Sequence, residues 1–144
     1  MATPIQIVFD CADPDRLAKF WAAALHYQEQ DPPTGYASWA EFLRDRGVPE
    51  AEWNTRSAIV DPEGVGPRIF FQQMDTPKPT KNRVHLDISI SGGGRVPYEE
   101  RVTRVNAEVD RILGLGAATQ QAWEEPDEYW VVMKDPEGNE FCVY

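Results

Sequence analysis

Asp61-Pro62-Glu63-Gly64 and Asp135-Pro136-Glu137-Gly138 are the same tetrapeptide, written once in each half of a 144-residue chain. Each copy follows an apolar run (Ser57-Ala58-Ile59-Val60; Trp130-Val131-Val132-Met133) and precedes another (Arg68-Ile69-Phe70-Phe71; Glu140-Phe141-Cys142-Val143). Proline pre-sets φ and glycine tolerates positive φ, so each copy predicts a tight turn between two strands. One copy predicts a hairpin. Two predict a motif used twice.

The flanking sequence repeats as well. Ile5-Gln6-Ile7-Val8-Phe9-Asp10 opens the first half and Val84-His85-Leu86-Asp87-Ile88-Ser89-Ile90 the second, both read as strands. A helical stripe follows each: Leu17, Phe20, Trp21, Ala24 and Leu25, then Val102, Val105, Val109, Ile112 and Leu113. Asp13-Pro14 supplies an N-cap and a proline at N1, and Gly114 and Gly116 stop the second helix. Each half therefore reads strand, helix and three shorter strands. The first module is expected over 1–76 with an insertion at 31–54, read as a short strand plus a loop or short helix. A stiff, proline-bearing, solvated linker spans 77–82, and the second module spans 83–144.

Composition narrows the function classes. The net charge of −10 argues against nucleic acid or an anionic membrane as partner. No signal peptide or membrane-length apolar run is read, and Cys11 and Cys142 are expected as buried thiols of a cytoplasmic protein. No phosphate-binding glycine loop, nucleophile elbow or paired-cysteine motif is present; Gly92-Gly93-Gly94 reads as a flexible loop.

Strand alternation sorts the candidate site residues. Ile5, Ile7 and Phe9, Ile69 and Phe71, Val84, Leu86, Ile88 and Ile90, and Phe141 and Val143 form apolar faces for the helices. The opposite faces are mixed: Gln6, Val8 and Asp10; Arg68, Phe70 and Gln72; His85, Asp87 and Ser89; Glu140, Cys142 and Tyr144. A sheet with helices on one face and a mixed opposite face is what a cupped binding site needs. Trp39, Trp53, Trp123 and Trp130 either rim that surface or pack the core. His85 with Asp87 reads either as an acid–base or ligand-binding pair or as a satisfied structural histidine. His26 reads as a helix C-terminal cation.

Three segments, Asp10 to Trp21, Arg83 to Asp87 and Trp130 to Val143, resemble the vicinal oxygen chelate superfamily: glyoxalase I, bleomycin-resistance proteins and extradiol dioxygenases. The nearest likeness is to its bacterial glyoxalase-like branch. The resemblance implies an α+β fold of two βαβββ modules forming a cupped mixed sheet with helices on the outside, and a homodimer. It also implies metal ligands on the first, fourth, fifth and eighth strands. Those positions fall on Gln6, Phe70, His85 and Cys142. Phe70 cannot bind metal and a thiol suits a hard ion poorly, so no cofactor is expected. If a divalent metal is held, its ligands would be Gln6, His85 and Glu140.

Two functions follow. The first is a metal-independent binder of a small apolar or aromatic molecule, neutral or cationic, of the drug- or metabolite-sequestering kind. Gln6, Phe70, Gln72, Trp39, Trp53, Trp130, Cys142 and Tyr144 would line its site. The second is a lyase, isomerase or dioxygenase-type enzyme, metal-dependent or using His85 and Asp87 as an acid–base pair.

Overall fold

A computed structural model describes residues 1–144, which divide into two compact units, Met1–Pro77 and Lys78–Tyr144. The first unit runs β1 (Gln6–Cys11), α1 (Pro14–Leu25), β2 (Gln28–Glu29), α2 (Trp39–Asp45), β3 (Arg56–Val60) and β4 (Arg68–Gln73). The second runs β5 (Asp87–Ile88), α3 (Tyr98–Leu113), β6 (Ala118–Glu125), β7 (Glu128–Lys134) and β8 (Glu140–Val143). Their sheets have the same topology, β1-β4-β3-β2 and β5-β8-β7-β6, with β1/β4 and β5/β8 parallel and the other pairs antiparallel. The doubled α+β, βαβββ plan holds.

The tetrapeptides form the turns expected of them, and their aspartates have a role beyond that expectation. Gly64 and Gly138 take φ of 70° and 83°. Asp61 Oδ1 accepts from the Glu63 N–H, and its Oδ2 accepts from the Val65 and Gly66 N–H groups. Asp135 Oδ1 accepts from the Glu137 and Asn139 N–H groups, and Oδ2 from Asn139 Nδ2. Each carboxylate thus replaces water for a turn whose backbone donors lack strand partners.

Each helix covers one face of its own sheet. Leu17, Phe20, Trp21 and Ala24 of α1 are buried with Ile59, Ile69 and Phe71; Phe9 lies 5.4 Å from Trp21 and 5.5 Å from Phe71, ring to ring. Val105, Val109 and Ile112 of α3 are buried with Val131, Met133, Phe141 and Val143. Fully burying one such side chain contributes about 1.5–3 kcal/mol.

Several expectations need correction. Leu113 lies outside the buried stripe at 37% exposure. Ile5 and Val84 are exposed because each precedes its strand's pairing, and Ile90 lies just past β5. The fifth strand is short: β5 is a sheet edge and pairs only with β8. The insertion contains no strand; it folds as α2 and a 3-10 segment at Glu50–Thr55. That segment supports α1, since Asn54 donates to the Asp13 cap at 2.8 Å and accepts from the Asp15 N–H at 2.8 Å. The triple glycine is no free loop, because Gly93–Arg95 forms a 3-10 turn before α3. No helix is long and apolar enough to cross a membrane.

Candidate functional site

Burying Val131, Met133, Phe141 and Val143 under α3 turns the alternate residues of β7 and β8 to the other face of the second sheet. There Trp130, Val132, Glu140, Cys142 and Tyr144 line a cavity of about 1130 Å³ together with His85 and Asp87. Tyr98 and Arg101, from the first turn of α3, complete one side. Trp130 is cross-strand partner to Trp123, and the two indoles stack at 6.3 Å with planes 12° apart.

His85 Nδ1 lies 2.7 Å from Asp87 Oδ1, so the carboxylate orients the imidazole and leaves Nε2 uncommitted. The β5/β8 register pairs Asp87 with Cys142. Burial, and then the Asp87 charge, push the Cys142 thiol up to about 11, so it is protonated near neutral pH and is a poor nucleophile. Strand alternation places His85, Asp87 and Cys142 on one face; it does not foretell that the thiol is bound into the same cluster.

Glu140 is already committed elsewhere. Its side chain is 8% exposed, and its oxygens accept from Lys78 Nζ at 3.1 Å and the Asn82 N–H at 2.9 Å. Burial opposes its ionisation, but those donors outweigh it and hold the carboxyl at about 2. The stretch expected as a solvated linker is therefore fastened to β8. For Glu140 to serve as an eighth-strand metal ligand, it would have to abandon Lys78 and Asn82.

The other candidates belong to the first unit. Gln6, Phe70 and Gln72 share the open face of the first sheet, where β1 and β4 pair Gln6 with Arg68 and Val8 with Phe70. Trp39 and Trp53 lie in the insertion and spend their indole N–H groups internally, on the carbonyls of Gln30 at 2.7 Å and Val48 at 2.9 Å. Arg44 stacks over Trp53.

Two four-stranded sheets of identical topology, each covered by one helix and open on the other face, define a duplicated βαβββ protein. Solved structures share the fold across nearly their whole length. A glyoxalase/bleomycin resistance protein/dioxygenase family enzyme from Burkholderia phytofirmans PsJN matches with a TM-score of 0.61 at 13% identity, covering 96% of this chain and 94% of that one. A mutant of the fosfomycin resistance protein FosX from Listeria monocytogenes, complexed with Mn(II) and 1S,2S-dihydroxypropylphosphonic acid, matches at 0.60 and 14%, covering 100% and 90%. TioX from Micromonospora sp. ML1 matches at 0.53 and 11%, covering 99% and 97%. No curated protein matches the sequence. The model of the glyoxalase-like domain spans residues 6–144, so the chain belongs to that family, within the vicinal oxygen chelate superfamily.

The residues here fit a manganese-type ion poorly. A hard ion takes oxygen and imidazole donors. Of the four strand positions, Phe70 offers no donor and Cys142 offers sulfur. One imidazole, one carboxylate and one thiol do lie together, the donor atoms of His85, Asp87 and Cys142 falling within 4.8 Å of one another. That set suits zinc, which accepts nitrogen, oxygen and sulfur and keeps an open position when three residues hold it. Such an ion would supply Lewis acidity; the chain's part would be to hold it through His85, Asp87 and Cys142, and the thiol would have to release its proton to solvent on binding.

Proposed function

We propose that this protein binds a small, flat, largely apolar molecule on the open face of its second sheet. The observation that carries the reading is the cavity of about 1130 Å³ with Trp130, Tyr98 and Tyr144 in its lining and the 2.7 Å His85–Asp87 pair among them. Aromatic walls hold a planar ligand by area and stacking, and a single oriented imidazole fixes which way it lies. Setting aside Glu140, which Lys78 neutralises, Asp87, Asp127 and Glu128 outnumber Lys81 and Arg101 in the lining and favour a neutral or cationic ligand. A cytoplasmic homodimer is part of this reading, by likeness to the family alone.

Fluorescence titration with a panel of planar aromatic compounds tests it. Trp130→Ala is expected to weaken the best binder at least tenfold, about 1.4 kcal/mol. Equal affinity in Trp130→Ala, or no binder at all, would refute the proposal.

The His85/Asp87/Cys142 cluster favours a second reading, an enzyme using His85 as acid–base with Asp87 orienting it, or the same three residues around zinc. Metal analysis and thermal shift separate the two forms. Zinc is expected to raise Tm by a few degrees where manganese does not, about 2.7 kcal/mol at a hundredfold excess over its dissociation constant, and Cys142→Ser should abolish the difference. A manganese shift that survives Cys142→Ser would exclude this donor set.

A further inference from the structure

The open face of the first sheet holds a cation that the proposed function does not use. Arg68 is half-buried at the start of β4, with its guanidinium 5.3 Å from the centre of the Phe70 ring. Its Nε donates to Gln30 Oε1 at 2.6 Å and its Nη1 to Gln6 Oε1 at 2.5 Å. Both partners are neutral amides. No carboxylate lies within ion-pair distance of Arg68, in a chain with 24 Asp and Glu side chains against 14 Lys and Arg.

Amide carbonyls fix a guanidinium in place without neutralising it. A surface arginine left to itself keeps its mobility and its water; this one is aimed, part-desolvated and still charged. Its Nη2 has no protein acceptor, and Arg presents planar N–H pairs that match a carboxylate or phosphoryl group. Beside it lie Phe70 and Val8, cross-strand partners on the same face, with Val8 49% exposed. A fixed cation next to exposed apolar surface suits a molecule with an anionic head and an apolar body.

We propose that Arg68 anchors an anion-binding site on the open face of the first sheet, taking the carboxylate or phosphoryl head of a small apolar or aromatic molecule. Gln6 and Gln30 are its positioning residues, and Phe70 backs the guanidinium. The site is built wholly from the first unit and uses none of the residues that line the second-sheet cavity.

Benzoate and phenylphosphonate are the probes, titrated by calorimetry against the whole protein. One-to-one binding that weakens with added salt is expected, and in the Trp130→Ala background, where the second-sheet cavity is disabled, neutral benzamide should bind at least tenfold more weakly. Arg68→Gln should weaken the preferred probe at least tenfold. Arg68→Lys, which keeps the charge and loses the planar fork, should recover part of the phenylphosphonate affinity and little of that for benzoate. The stronger probe identifies the head group as carboxylate or phosphoryl. His85→Ala and Trp130→Ala should leave both affinities unchanged, which separates this site from the second-sheet reading. Should Arg68→Gln fold poorly, the Arg68 Nη–H resonances of the wild-type protein read the same contact and should move on adding the probe. The proposal is overturned by absence of binding at millimolar probe, by undiminished affinity in Arg68→Gln, or by stationary Arg68 resonances at saturation.

Discussion

Asp135→Ala is expected to destabilise the protein by about 2–4 kcal/mol, lowering Tm by roughly 6–15 °C. Asp135 is 4% exposed, and its side chain accepts from the Glu137 and Asn139 backbone N–H groups and from Asn139 Nδ2. Removing it strands those donors in a part-buried turn, and an unmet buried donor costs about 1–3 kcal/mol. Asp135→Asn keeps an oxygen in the same place and should recover much of the loss. Asp61→Ala removes the same device from a more open turn, so its effect should be clearly smaller. Thermal and denaturant melts of the three variants read the order. Equal losses at 61 and 135 would show that local turn geometry alone, not burial, sets the value of the motif.

The second large effect depends on pH. Glu140 titrates at about 2 in the folded protein against an ordinary value of 4.5. A carboxyl whose folded pKa lies below its unfolded one binds fewer protons when folded. Its stabilisation is therefore complete above about 4.5 and is lost as pH falls through about 2. The contribution at neutral pH is about 1–3 kcal/mol. Glu140→Gln should lose that amount at pH 7 and show a flatter stability curve than wild type between about pH 5 and 2. Lys78→Ala removes one of the donors and should give a smaller loss over the same window. A wild-type curve with no acid limb beyond that of Glu140→Gln would remove Glu140 from this role. If the loss at pH 7 is seen, the chain from Lys78 to Asn82 is held to β8 by this one carboxylate.

The two aspartate turns also show why the duplication is legible in the sequence. Turn chemistry is local: Pro sets one dihedral, Gly permits another, and Asp reaches its own backbone a few residues on. Side-chain alternation is equally local, so the buried faces of β4 and β8 and the buried stripe of α1 follow from period alone, whereas the unbroken apolar run of β7 names neither face. Local signals fail at the sheet edge and in the insertion. Val84 and Ile90 alternate correctly but lie outside the two-residue pairing of β5, and pairing length depends on the neighbour. Residues 31–54 have no twin in the other half to be read against, and the clamp from Asn54 to the α1 cap joins positions about 40 apart in sequence.

The doubled βαβββ plan, most of the helix-facing residues and the face shared by His85, Asp87 and Cys142 are written in the order of the amino acids. The state of the charged groups is not; it comes from contacts made by the folded chain. Glu140 is spent on Lys78 and Asn82, Cys142 is drawn to Asp87, and Arg68 is held by two glutamines without a counter-charge. The reason is physical. Burial patterns follow from periodicity along one strand or helix. A charge takes its energy from whichever groups the fold brings within a few ångströms, whatever their distance along the chain.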